Sequence, residues 1–168
     1  MSLPILAISY FFHLLATVVW LGGLAVLSLM VHPAARRTLA EHPAFYAFMT
    51  RLRKRFTPWA NFSLALLWAS GLVQQSLDEN YTGVLDISNM WSVALLGKHI
   101  AVVGMVVCSL TLQYAVAPSL ERVSLRAERG KADHTEWELL HRRETRLTWA
   151  NNLLGVLVLA FTAWMTAL

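Results

Sequence analysis

From Met1 to Ala35 the chain reads MSLPILAISYFFHLLATVVWLGGLAVLSLMVHPAA, with no Asp, Glu, Lys or Arg. About 20 predominantly apolar residues are enough to cross the hydrocarbon core of a bilayer, so this stretch reads as a membrane span. Three more stretches pass the same test. Phe56 to Leu77 and Leu147 to Leu168 carry no formal charge, and Ile87 to Ala117 carries only Lys98. The composition agrees: of 168 residues, 57% are hydrophobic and 14% charged. Soluble domains usually hold about 25% charged residues, so this chain lacks the surface to be one. A single cysteine cannot form an internal disulfide. The long runs lack the alternation of a membrane β-barrel. The reading is an all-α polytopic membrane protein: one domain over residues 1–168, an antiparallel bundle of four transmembrane helices near 4–31, 56–77, 91–117 and 146–167. Without a basic leading region or a clear cleavage site, the first run is expected to be a retained span and not a signal peptide. Pro33 and Pro118 are expected to end the first and third helices.

The connections fix the expected orientation. The first holds Arg36, Arg37, Arg51, Arg53, Lys54 and Arg55 against Glu41, and the third holds Arg122, Arg126, Arg129, Lys131, Arg142, Arg143 and Arg146. The second holds Asp78, Glu79 and Asp86 with no basic residue. By the positive-inside rule the first and third face the cytoplasm, with both termini outside a bacterial-type inner membrane. The net charge of +4 is thereby explained by topology and implies no nucleic-acid partner. His134 to Trp149 carries a helical spacing of Trp137, Leu140, Glu144 and Leu147. It reads either as an amphipathic extension lying at the interface or as a charged helix end in water.

Polar groups at membrane depth are costly unless paired or functional, so the candidate site lies among them. His13 falls nine residues into the first span and His99 eight residues after Trp91, roughly 13 and 12 Å along their helices at 1.5 Å per residue. Both helices start from the outer side, so the two imidazoles share a depth. Singly, each reads as a hydrogen-bonded packing residue. As a pair they suit the axial positions of one haem b, or another metal, between facing helices. Thr17 and Trp20 follow His13 on one face, and Gly22 and Gly23 remove bulk, which suits either a flat cofactor or close helix packing. Lys98 either snorkels outward or answers an anion such as a haem propionate or a quinone oxygen. Copper is the rival ligand, but Cys108, Met30 and Met105 lie too deep or on other faces, leaving Met90 and Met165 near the outer surface.

The remaining polar positions read as structural. Asn61, Asn151 and Asn152 are expected to bond across helices, Gln74 and Gln75 to end the second span, and Trp59, Trp91, Trp149 and Trp164 to form interfacial belts. His32 and His141 form a conceivable second centre at the cytoplasmic face.

The run HLLATVVWLGGLAVLSLMVHPAARR, from His13 to Arg37, resembles the first helix of the copper-resistance CopD family. RLRKRFTPWANFSLALLWASGL, WSVALLGKHIAVVGM and NNLLGVLVLAFTAWM are similar to its later helices. HemJ-type protoporphyrinogen oxidases share the early histidine, the tryptophan and the helix-three lysine. The first resemblance implies copper movement across the inner membrane. The second implies haem b on His13 with Lys98 required. Gly22, Gly23 and His99 depart from the HemJ pattern. The expected role is one-electron transfer near the periplasmic side, with a quinone or a periplasmic carrier as redox partner. Membrane lipid is the surrounding medium, and a larger complex or homo-oligomer is the expected assembly. The alternatives are CopD-like copper transport or binding, a HemJ-like oxidase and a non-catalytic membrane subunit.

Overall fold

The computed structural model describes residues 3–39, 44–78, 81, 89–128 and 134–167, and no strand occurs among them. Glu41, Glu79, Asp86, Arg129 and Lys131 lie outside the described residues. The chain forms long helical rods, as apolar backbone in a bilayer must, because only a helix satisfies its own amides and carbonyls within one segment. Helix α1 (residues 3–39) joins α-helical Leu3–Thr17, Gly23–Ala25 and His32–Leu39 through π-helical turns at Val18–Gly22 and Val26–Val31. Helix α2 is Ala44–Ser76. Helix α3 (residues 90–128) joins Met90–Thr111 to Ala117–Glu128 through a π-helical turn at Leu112–Val116. Helix α4 is His134–Thr166.

Pro33 and Pro118 do not end their helices, contrary to expectation. The rods run on to Leu39 and Glu128. Proline removes an amide and clashes with the carbonyl four residues back. A wider π turn lies immediately ahead of each of these prolines, at Val26–Val31 and Leu112–Val116, and lets that carbonyl move aside. Residues 134–149 continue into the last span as one straight helix. Glu136, Glu138, Leu139, Arg142 and Arg143 are exposed, whereas Trp137, His141 and Glu144 turn inward onto other helices. This face packs on protein and does not lie flat at an interface.

Among the described residues three helices are long and apolar enough to cross a membrane: Pro4–Leu39, Met90–Arg126 and Thr135–Thr166. Helix α2 has the length, 33 residues, but Pro58, Asn61, Ser63 and Ser70 dilute its apolar run. The protein is therefore a membrane protein by the length and composition of its helices.

Neighbouring rods run antiparallel. Ser9, His13 and Gly23 of α1 meet Gln74, Ser70 and Phe56 of α2 in descending order. Gly97, Gly104 and Ser109 of α3 likewise meet Phe161, Leu154 and Asn151 of α4. Helix α4 also touches α1, through Gly155 against Leu21 and Asn152 Nδ2 donating to Ser28 Oγ at 2.7 Å. Glycines at these crossings let the helix axes approach, the usual device where lipid offers no hydrophobic drive to pack. Asn151 is fully buried and donates to Ser109 Oγ at 3.2 Å, so Asn151 and Asn152 bond across helices as expected, whereas Asn61 is exposed on α2 and has no such bond among the described residues.

Two expectations change. Trp91 is only 6% exposed and lies in the core, whereas Trp59, Trp149 and Trp164 are exposed as belt residues would be. It begins the buried stripe of α3, ahead of Ala94, Ala101 and Met105. Gln74 does not merely end α2: its Nε2 donates to Ser9 O at 3.2 Å. At the start of α3, Asn89 is extended and its Oδ1 accepts from Ser92 N–H at 2.7 Å, a side-chain N-cap. Asn89→Ala is expected to lower stability by about 1 kcal/mol. Faster amide hydrogen exchange confined to the first turn of α3 is the check.

Candidate functional site

At the end of the molecule near Gln74, polar side chains from α1, α2 and α3 converge. His13 Nδ1 lies 2.9 Å from Ser70 Oγ, and the ring rests beside Gly71, where there is no side chain to exclude it. Ser70 Oγ donates its only proton to Leu66 O at 2.6 Å. It must therefore accept from His13, which fixes the proton on Nδ1 and leaves Nε2 with its lone pair. Ser9 Oγ donates to Ser70 O at 3.2 Å and ties the same turn to α1. Lys98 stands near enough for its charge to act on His13.

The reason Lys98 faces this centre is register. The buried residues of α3 at 91, 94, 101 and 105 leave position 98 on the same stripe. On α1, Ser9, Ala16 and Trp20 are the buried stripe that His13 shares. His99 is one residue off, about 100° around the helix. Its Nδ1 lies 2.8 Å from Leu95 O, an acceptor only, so Nδ1 donates. Depth alone put His13 and His99 together in the sequence. The structure gives the two rings different partners, one on α2 and one on its own helix.

The other expected site residues are placed as follows. Thr17 Oγ1 donates to His13 O at 2.8 Å, so its hydroxyl is spent on α1 itself. Gly23 faces the ring of Phe56, and nothing lies within 4 Å of a side chain added at Gly22. Trp20 is 4% exposed and lines a cavity of about 200 Å³ that His13 does not line. That cavity extends towards the basic end, between all four helices. Among the soft donors, Met105 is fully buried beside Gly155, Met30 is exposed and Cys108 is half-buried on α3.

At the basic end His32 and His141 meet as expected. Their rings stack at 5.4 Å between centroids and 15° between planes, and Trp137 stacks on the far face of His141 at 5.0 Å and 9°. Ligating lone pairs lie in the ring planes, so two parallel stacked rings cannot share one ion. In this arrangement the two rings pack face to face. Beside it Arg53 pairs with Glu144, which also lies 3.5 Å from His141 Nδ1. Lys54 pairs with Glu121 at 2.6 Å. Among the described residues no group of three or more His, Cys, Asp or Glu is gathered to hold a metal ion.

Residues 15–129 match a family described as a domain of unknown function, DUF4149. The chain belongs to the DUF4149 family. The matched region contains Trp20, Gly23, Arg53, Ser70, Lys98 and His99, while His13 and α4 fall outside it. No curated protein and no solved structure matches the chain. For this DUF4149 protein the sequence reading missed Ser70, the Arg53–Glu144 pair and the cavity. Ser70 was findable, because Ser63 and Ser70 stand seven apart in an apolar run and both are buried. The ion pair and the cavity depend on how separate helices approach, which no local pattern encodes.

Proposed function

We propose that this protein is a four-span antiparallel bundle in a bacterial-type inner membrane, with both termini outside, that binds one haem b in its outer half for one-electron transfer. Helix α2 completes the set of spans, supported by Trp59 at 65%, Phe62 at 64% and Leu72 at 58% exposure on its outer face. Helices α1 and α3 each pack on α2 and α4, so they are diagonal partners, a geometry that suits one group held between them. His13 and His99 are the residues that would hold it.

One observation carries the reading: both imidazoles have Nδ1 engaged, on Ser70 Oγ and on Leu95 O, with no hydrogen-bond partner for Nε2 among the described residues. Orienting the second nitrogen in this way is what metal-binding histidines require. Each imidazole therefore offers a nitrogen of the kind that haem iron takes, and His99 would have to turn towards His13 for both to serve one group. When bound, haem b supplies a one-electron couple. The chain's own part is to orient His13 through Ser70, to set the charge of Lys98 near His13 and to exclude water with Ala16, Trp91 and Ala94. Two histidine ligands leave no open position for oxygen chemistry. The resemblance to CopD and HemJ-type proteins belongs to this proposal. Copper is the less favoured cargo, because Met30 and Met90 are exposed and Met105 is buried beside Gly155. A HemJ-like oxidase is the second reading, favoured by the place of Lys98 on the buried stripe of α3.

The test is spectroscopic. Protein purified from haem-sufficient cells should show a Soret band with sharp reduced α and β bands. His13→Ala and His99→Ala should each lose it, and Ser70→Ala should weaken haem retention by roughly 10-fold or more. A colourless, folded wild-type protein sinks the proposal. A Soret band that survives His99→Ala but not His13→Ala or Lys98→Ala moves the assignment to the second reading.

A further inference from the structure

The cavity beyond Trp20 has an unusual lining for a membrane interior. Its walls are apolar and include three aromatic side chains from three helices, Trp20, Phe56 and Trp149. Two side-chain amides also face it, Asn61 from α2 and Gln113 from α3. Neither amide has a hydrogen-bond partner among the described residues. Asn61 lies five residues inside the apolar run that starts at Phe56, roughly 8 Å from its end. Gln113 lies four residues before Ala117, roughly 6 Å from the same boundary. Unpaired amides at such a depth are costly, because lipid offers them nothing to bond. Asn151 and Asn152, by contrast, each donate across to another helix.

The charge in the cavity narrows what could pair with them. Arg53 is the only Lys or Arg among the described residues that line it, and Glu144 already holds it. An anionic head, such as a phosphate or a fatty carboxylate, would find no free cation. A neutral head with carbonyl acceptors would find two amide donors and aromatic walls. The volume of about 200 Å³ is below the ~300–1,000 Å³ typical of drug-sized ligands and is sized for a single ring. Leu110, Thr145 and Trp149 line the cavity and are exposed on their helices, so a tail could leave sideways into lipid.

We propose that this cavity binds the head of a neutral isoprenoid quinone, with Asn61 and Gln113 donating to its carbonyl oxygens and the tail passing into the bilayer. His13 does not line the site, which does not depend on haem being bound.

Titration of decylubiquinone into the full-length protein in lipid nanodiscs, read by tryptophan fluorescence, tests this. Trp20 and Trp149 lie in the cavity wall, so quenching should saturate. Asn61→Leu combined with Gln113→Leu should raise the half-saturating concentration at least about tenfold. Ala60→Phe, which fills the cavity from α2 and leaves both amides in place, should do the same and keeps the test available if the double variant fails to insert. Three results each overturn the proposal. One is a linear quench equal to that of a tryptophan peptide in the same nanodiscs. Another is an unchanged half-saturation in Ala60→Phe. The third is equal competition by diacylglycerol, which has ester carbonyls but no ring.

Discussion

Arg53→Leu is expected to lower stability by about 3 kcal/mol, at the low end of the range for removing one member of a buried ion pair. The penalty comes from the group left behind. Glu144 is 14% exposed and Arg53 30% exposed, both inside the packed basic end. Without the guanidinium, the Glu144 carboxylate keeps its desolvation and loses its ion-pair partner, with the His141 ring left at 3.5 Å. Partial exposure of Arg53 sets the effect at the low end of that range. The swap Arg53→Glu with Glu144→Arg should recover most of the loss. A double-mutant cycle on thermal unfolding in detergent measures this directly. Equal and additive costs for Arg53→Leu and Glu144→Leu would mean that the pair is not coupled. The cluster joins residues far apart in the chain, so α1, α2 and α4 should loosen together, seen as faster hydrogen exchange at residues 32–36 and 134–141.

Gly23→Val should cost about 2 kcal/mol through overpacking. A side chain at Gly23 runs into the edge of the Phe56 ring, which is held between α1 and α2. In a membrane the helices gain nothing by hiding apolar surface from water, so fit between side chains makes up most of the association energy. A clash at the crossing point is therefore felt in full. Two controls separate this from a change in backbone flexibility. Gly22→Ala meets nothing within 4 Å and should be neutral or slightly stabilising. Phe56→Ala combined with Gly23→Val should recover part of the loss, because the added methyl groups then occupy the vacated space. If Gly22→Ala costs as much as Gly23→Val, the glycines serve the π-helical turn at Val18–Gly22 and not the crossing.

Gly23 shows how far a sequence can be read. Its position beside Trp20 in an apolar run is compatible with a flat cofactor or with a helix crossing, and only the presence of Phe56 opposite distinguishes the two. Lys98 and His99 show the same limit. Their depth follows from counting residues, since a helix rises by a fixed amount per residue. Which of them faces the bundle depends on the rotation of α3, and that is set by Trp91, Ala94, Ala101 and Met105 packing on other helices.

The sequence by itself determined that the chain is helical and membrane-bound. It also located three of the apolar segments and separated the basic connections from the acidic one. These follow from the cost of charge and of open backbone hydrogen bonds in hydrocarbon, which acts on each segment alone. The tertiary structure decided that Pro33 and Pro118 are absorbed by π turns and that Trp91 is core. It also decided that Ser70 orients His13, that His32 and His141 stack, and that a cavity remains beneath Trp20. All but the π turns rest on contacts between helices distant in sequence, and in lipid such contacts are chosen by shape and hydrogen bonding. Neither leaves a periodic trace in one chain.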